Sequence, residues 1–473
     1  NKGCPQGSIL GPEFWDVGME PLLRLLENAD SVKLTVAYAD DLLLLIEGSN
    51  RELLERKCRL AIEILTSWCS AAKLKIAASK TTYMLLRGSM RRNPCVRIGD
   101  VNIRRQQTTR YLGVHLDEKL SFTSHVEVVR TKAEGVMMKF VRMGQRRFYL
   151  PLRTIQIYHN SILSSIVGYA ASVWAIKARH NKKIRDKLRS TQRKILLRFV
   201  GAFGTTPTMA LLIVLGVWPL DLQVRRRGAS YWYKKGDLSK AEFIVGGPIA
   251  AEADIRRRLL NEWQHEWNAS ERGRRTHGIF PSVRRRLRLK HLLPGRGLVH
   301  FLTGHGPYGV YLKRFGFRDD SKCQNCNIED TPEHALFECP GRFVGDLDQR
   351  ARLADRTIQD IVSDSILWKD LDEWTGVFSQ AAYVEYHENV NRRVERVLDN
   401  NLENNGNIHR RSMRLQGRDI PQDETQRDME SRDETDFEGD TINRRRIYVQ
   451  SQGRLEAARR RQNIRPTDPA EPP

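Results

Sequence analysis

Residues Ser31–Glu47 read SVKLTVAYADDLLLLIE. Two short apolar runs, Val32–Ala37 and Leu42–Ile46, flank Tyr38-Ala39-Asp40-Asp41, and this pattern predicts two antiparallel strands joined by a tight acidic turn. The hairpin is thereby tipped with carboxylates. Two like charges at a turn repel and add nothing to stability, whereas hard carboxylate oxygens suit divalent cations. Two such cations about 4 Å apart activate a hydroxyl and stabilise a leaving pyrophosphate, so the chemistry that fits is phosphoryl transfer. Side chains alternate faces along a strand. Asp40 and Asp41 therefore point the same way only if the turn rotates one of them, and Asp40 is the expected direct ligand. The same four residues also fit an ordinary solvated turn.

Working outward, Ser49-Asn50-Arg51-Glu52 reads as a capping box. Leu53, Leu54, Cys58, Ala61, Ile62, Leu65, Trp68 and Cys69 then recur at helical spacing, which predicts a helix packed on the sheet. Upstream, the Gly/Pro-rich opening Lys2–Pro12 leads into a helix expected from about Glu13. From about Phe122 to Tyr233 the pattern is helical and basic, with Arg146-Arg147, Lys182-Lys183 and Arg225-Arg226-Arg227 along it. A Gly246–Pro248 break precedes a third region holding Arg284-Arg285-Arg286, a Gly-rich loop around His305 and a Cys/His cluster. Beyond about Asn400 the apolar period disappears, and too little apolar area remains to offset chain entropy, so a disordered polar tail is expected.

The chain has 473 residues, 79 basic against 57 acidic, for a net charge of +22. With 40% hydrophobic residues there is material for packed cores, and the charge points to a polyanionic partner reached through the arginine runs. No apolar run reaches the ~20 residues that cross a bilayer. The best, Met209–Trp218, is broken by Gly216 and followed by Pro219, which excludes an integral membrane protein. Seven cysteines without an even framework argue against an oxidised secreted scaffold and for a reducing compartment. The chain starts at Asn1 without signal-peptide features, as the C-terminal part of something longer would.

Cys323-Gln324-Asn325-Cys326, His334 and Cys339 form Cys-x2-Cys-x7-His-x4-Cys. Three thiolates and an imidazole make a closed tetrahedral set, the donor pattern of a structural Zn²⁺ site with no open position for catalysis. His305 reads as a loop histidine. Trp263 and Trp267, four apart beside Arg256–Arg258, share a helix face that core packing explains better than base stacking.

Lys2-Gly3-Cys4-Pro5-Gln6-Gly7-Ser8 resembles the Pro-Gln-Gly motif of reverse transcriptases, and Tyr38-Ala39-Asp40-Asp41 resembles their Tyr-x-Asp-Asp box. Leu74–Thr81 is similar to the segment after that box, and Arg110-Tyr111-Leu112-Gly113 to the primer-grip strand. Tyr169–Trp174, Thr205–Thr208 and Gly216–Leu220 extend the likeness to non-LTR retrotransposon polyproteins, most of all the type-1 elements of insects that insert into ribosomal DNA.

The resemblance implies an RNA-directed DNA polymerase that extends a DNA primer at nicked target DNA on an RNA template, with Mg²⁺ or Mn²⁺ on Asp40 and Asp41. Lys80 would serve the departing pyrophosphate as general acid or neutralising charge. Gln6 would read a template or nucleotide edge, Gly7 would allow close backbone approach, and Tyr38 would flank the metal site. A further aspartate and the fingers are expected upstream of Asn1, together with an endonuclease in the parent polyprotein.

The expected fold is α+β. Residues 1–120 would be the C-terminal half of a right-handed polymerase palm, 121–245 a helical thumb and connection, and 246–345 a basic nucleic-acid-binding region with a small zinc-knuckle domain. Residues 346–399 would be a helical extension and 400–473 a disordered tail. A nuclear location with cytoplasmic ribonucleoprotein assembly follows from the same likeness, and so does an inactive fragment when taken alone. A catalytically dead nucleic-acid-binding remnant and an intron maturase are the alternatives.

Overall fold

The computed structural model describes residues 7–86, 90–147, 151–342, 347–354 and 356–380. Gln6 and the tail from Asn400 lie outside the described residues.

Helix α1 (Gly11–Glu27) carries Pro12 in its first turn, where the missing N–H costs nothing. Trp15, Met19, Leu22 and Leu26 recur at helical spacing and form its inner face. Strands β1 (Leu34–Tyr38) and β2 (Asp41–Leu45) pair antiparallel from Leu34↔Leu45 to Tyr38↔Asp41. The acidic turn is thus shorter than the sequence pattern implies, because Tyr38 and Asp41 continue the ladder and only Ala39 and Asp40 span the reversal. Helix α2 (Arg51–Ala71) starts on Asn50, whose side chain accepts from the Leu53 amide at 2.8 Å. The cap is therefore Asn50 and not the Ser49/Glu52 box, since an amide side chain one residue later already satisfies the first-turn donor. Leu65 and Trp68 of α2, with Leu42 and Leu44 of β2, close over Met19, Leu22 and Leu26. This small helix-on-hairpin core holds the acidic turn.

Two further hairpins follow, β3 (Val96–Ile98) with β4 (Val101–Ile103) and β5 (Thr108–Tyr111) with β6 (Val114–Asp117). Leu112 (φ 45°) and Gly113 (φ 79°) form the β5–β6 turn. Two successive positive-φ residues match the right-handed twist of the flanking strands.

The rest is helical. In order come α3 (Thr123–Arg147), α4 (Leu152–Ile157), a π-helical turn (Tyr158–Leu163), α5 (Ser164–Val167), α6 (Ala171–His180), α7 (Lys182–Val200) and α8 (Thr208–Leu215). Next are α9 (Leu220–Lys234), α10 (Leu238–Val245), α11 (Glu252–Ala269), α12 (Arg274–Ile279), α13 (Val283–Arg288), α14 (Arg296–Thr303) and α15 (Gly309–Arg314). After the Cys/His loop come α16 (Leu347–Ala354), α17 (Ile358–Ser363) and α18 over residues 365–380. One core runs from Val114 to Phe378, and Trp263 and Trp267 are wholly buried in it, as their spacing suggested. Helices α6 and α9 cross so closely that a Cβ on Gly228 would sit 2.5 Å from the Ala175 Cβ. Among the described residues no single helix is long and apolar enough to cross a membrane.

Part of the arginine runs turns inward, against the expectation of a basic surface, although Arg284 and Arg285 stay exposed. Arg225 is 1% exposed and pairs with Glu262 at 2.8 Å, while the Arg227 guanidinium donates to the Ser164 carbonyl at 2.6 Å. Arg226 lies over the Trp218 ring at 5.3 Å. Arg286 of the second run is also buried and donates to the Val214 and Leu292 carbonyls at 2.7 and 2.8 Å. A guanidinium has five donors in a planar fork, so it can tie chain ends together inside a helical body where lysine cannot.

Candidate active site and metal centre

Two sites stand out, one of carboxylates and one of thiols. At the hairpin tip Leu42 and Leu44 face the helices, so strand alternation sends Asp41 to the opposite face with its cross-strand partner Tyr38. Asp40 sits in the turn itself. All three residues are exposed, Tyr38 at 65%. The turn requires Ala39 at φ 50°, a left-handed conformation costing an alanine about 1 kcal/mol. The indole Nε1 of Trp15 donates to the Ala39 carbonyl at 2.9 Å and ties the turn to α1. Nothing in the sequence marked Trp15 for this role, because it reads only as one more inward residue of an amphipathic helix.

The β5–β6 hairpin has a similar tie. Tyr169, between α5 and α6, donates its hydroxyl to the Leu112 carbonyl at 2.8 Å, and a Cβ on Gly113 would stand 3.1 Å from its ring. Tyr111 at the end of β5 has its phenol pushed up, first by burial and then by the Asp41 carboxylate. That coupling brings the β5 end within electrostatic reach of the acidic turn.

Of the residues singled out from sequence, Tyr38, Asp40 and Asp41 are brought together by the β1–β2 register. Gly7 lies in the turn before α1 at φ 90°, a conformation that favours glycine. Lys80 lies on the exposed loop after α2, on a different element from the acidic turn, and Gln6 is outside the described residues.

At the second site Cys323, Cys326, His334 and Cys339 offer donor atoms that all lie within 4.8 Å of one another. The Cys323–Cys339 and Cys326–Cys339 sulfur separations are both 3.6 Å. Thiolates at the ~2.3 Å Zn–S distance of a tetrahedral ion would stand close to that far apart. His334 is 2% exposed, and neither ring nitrogen has a hydrogen bond, although a Glu338 carboxylate oxygen is 3.4 Å from Nδ1. Burial, then the neighbouring thiols, push the Cys326 thiol up to about 11. The donor set and the orphaned imidazole fit a bound metal ion.

The loop is built into the helical body. The Asp330 carboxylate, fully buried, accepts from the Gly309 amide at 2.8 Å; Glu333 pairs with Arg275 at 2.7 Å; Ala335 and Leu336 enter the core.

Residues 1–116, which contain the acidic hairpin and the β5–β6 turn, match the family described as reverse transcriptase (RNA-dependent DNA polymerase). Curated insect proteins match a larger share of the chain. One is the putative 115 kDa protein in type-1 retrotransposable element R1DM of Drosophila melanogaster, 32% identical over 347 residues, covering 72% of this chain and 34% of that protein.

The chain is similar to type-1 retrotransposable-element polyproteins of insects.

A Pol polyprotein of element R1 from Bradysia coprophila is 30% identical, again covering 72% of this chain and 34% of its own length. A shorter R1 polyprotein from Nasonia vitripennis is 28% identical over 417 residues and is covered completely. The chain thus spans about a third of the first two relatives. No solved structure matches it. The R1 likeness extends over more residues than the reverse transcriptase match.

Proposed function

We propose that the chain carries the DNA-synthesis site of an R1-type non-LTR retrotransposon, copying RNA into DNA from a primer on target DNA. The observation that carries this reading is the exposed Tyr38/Asp41 pair with Asp40 in a two-residue turn, inside the segment that matches the reverse transcriptase family. Asp40 and Asp41 would hold the divalent ions, Mg²⁺ or Mn²⁺, through hard carboxylate oxygens that no cation of the protein neutralises in an ion pair among the described residues. When bound, such ions supply Lewis acidity for the primer hydroxyl and charge compensation for the leaving pyrophosphate. The chain's own residues position them. Trp15 holds the turn, Tyr38 lies directly across from Asp41, and Tyr169 fixes the neighbouring β5–β6 tip where a primer strand would be oriented. Lys80 is assigned to the pyrophosphate and Gln6 and Gly7 to the nucleotide.

In the same reading residues 1–120 are the C-terminal part of the palm, 121–245 the thumb and connection, and 246–345 a nucleic-acid-binding region with a Zn²⁺ knuckle on Cys323, Cys326, His334 and Cys339. RNA template and target DNA are its partners, and its place of work is the nucleus. Primer extension on an RNA template by an active polyprotein carrying these residues tests the reading. Asp40→Asn and Asp41→Asn should each abolish incorporation while leaving template binding within about twofold. Sustained incorporation by both variants would refute it.

A further inference from the structure

Three segments distant in sequence meet at a cluster outside the acidic hairpin. The Thr205 hydroxyl is 3.0 Å from His305 Nδ1 and 2.7 Å from the Tyr311 hydroxyl. The His305 ring lies 5.4 Å from Tyr311 and 6.2 Å from Phe315, and Tyr311 lies 4.8 Å from Phe315. Phe315 is 36% exposed, with the Arg314 guanidinium 5.7 Å from its centroid. Arg193 donates to the Thr206 and Gly204 carbonyls and to the Thr208 hydroxyl, so it sets the shape of the 203–206 loop. Arg193 has its own charge disfavoured by burial and then by Arg272 beside it; burial, then Arg314 and Arg193, lower His305 to about 4.

The charge accounting is one-sided. No carboxylate among the described residues forms an ion pair with Arg193, Arg272 or Arg314, whereas Arg189, Arg225 and Arg275 nearby in sequence all have one. Helix α8 also begins at Thr208 with no side-chain cap, so its positive dipole end adds to the local potential. Arg314 and Arg193 act on a neutral imidazole beside a threonine hydroxyl and an exposed ring, and Arg272 acts in turn on Arg193; the cluster lacks an anion and a flat apolar partner. A nucleotide supplies both, and an acidic peptide supplies only the first. An exposed phenylalanine flanked by arginine is the platform on which an unstacked base rests, and duplex bases are not available for it.

We propose that Thr205, His305, Arg272, Arg314 and Phe315, on the loop shaped by Arg193, form a binding point for single-stranded nucleic acid, with phosphate on the arginines and a base on Phe315. This site rests on the reading of residues 246–345 as nucleic-acid-binding, but it lies on other elements than the polymerase hairpin and its test uses neither nucleotide nor Mg²⁺, so the two can fail separately. Fluorescence anisotropy of the 473-residue chain with labelled 20-nucleotide single-stranded RNA, single-stranded DNA and duplex DNA, across a salt series, is the measurement. All variants lie at exposed positions, and their circular dichroism is recorded alongside.

Phe315→Leu should weaken single-strand binding roughly five- to thirtyfold. Arg272→Ala with Arg314→Ala should lower the salt slope by about two phosphate contacts. Lys182→Ala with Lys183→Ala removes equal charge elsewhere and should change affinity less than about threefold. Equal losses on RNA and DNA single strands assign the contacts to phosphate and base faces, and a loss confined to RNA adds the 2′-hydroxyl. The proposal is overturned if the Phe315 and arginine variants bind like the parent chain, if the lysine control falls as far, if duplex binding falls equally, or if the parent chain binds no single strand at low salt.

Discussion

If the Cys/His loop holds Zn²⁺ as proposed, removing it should destabilise the helical body as well as the loop. The perturbation is either chelation or Cys326→Ser. If the loop keeps its place without metal, the ring nitrogen of His334 that held the ion is left buried without a hydrogen bond, at 2% exposure. That costs about 1–3 kcal/mol. If the loop leaves instead, Leu336 and Ala335 come out of the core and the Asp330–Gly309 bond is lost. That costs about 3–4 kcal/mol for the apolar groups and hydrogen bond together. The two routes overlap near about 3 kcal/mol, so the expectation does not hinge on which one the loop takes. For a body of this size about 3 kcal/mol lowers Tm by roughly 4–6 °C. Calorimetric melts of the chain before and after chelation, with zinc content measured on the same samples, provide the assay. Cys95→Ser, at an exposed cysteine outside the cluster, should change neither quantity. One equivalent of zinc lost with Tm unmoved within about 2 °C would refute the coupling, and a purified chain without zinc would refute the site.

Asp40→Ala should lower RNA-templated incorporation roughly a hundredfold or more in an active polyprotein, by removing a metal ligand; steady-state extension rates check this. Trp15→Phe deletes one hydrogen bond to the exposed Ala39 carbonyl, worth about 0.5–1.5 kcal/mol. It should raise the Mg²⁺ concentration for half-maximal extension by up to about tenfold with primer affinity unchanged, and an unmoved Mg²⁺ midpoint would leave the indole without a positioning role. His159 and His300, both lowered to about 4 by burial, bind protons only once unfolded between pH 6.5 and 4. Their stability contribution is therefore present above pH 6.5 and lost as pH falls toward 4, at up to about 2.7 kcal/mol per pH unit for the pair; denaturant midpoints measured at pH 7, 5.5 and 4.5 should fall in that order. Asp372, raised to about 6 by burial, works in the opposite sense. Its carboxylate is disfavoured in the fold, so Asp372→Asn should gain stability at pH 7.5 relative to pH 4.5, and an equal effect at both would exclude the titration.

The hairpin was legible because period-two apolar runs around a polar turn have few other outcomes, and the Cys/His cluster because ligand spacing is itself the signal. What the sequence did not reveal lies in contacts across long separations. Trp15 and Tyr169 hold carbonyls of two turns 24 and 57 residues away, and their own neighbours carry no mark of it. The α2 cap was displaced by one residue because Ser, Asn and Glu all cap, and only geometry selects among them. The Cys/His loop read as a module of its own, since spacing reports ligands and is silent about Asp330, Glu333 and Leu336, which bind it to the body.

Charge was the least legible quantity. A net +22 invites the inference that every arginine run faces a polyanion, yet Arg225 and Arg286 are buried and Arg227 is spent on a backbone carbonyl. Such cations contribute long-range potential but release no counterion on contact, because their donors are already committed inside the fold. The salt slope of binding counts contacts made at the surface, and it will therefore be far smaller than the net charge suggests. A guanidinium that lacks both a carboxylate and a carbonyl partner keeps its donors for a ligand. Arg272 and Arg314 are of that kind, single residues outside the long runs, and Arg314 sits beside an exposed aromatic ring that gives a bound strand something to rest on. The informative arginines are those the fold has left unspent, and they are found by accounting for each guanidinium's partners, not by their density along the chain.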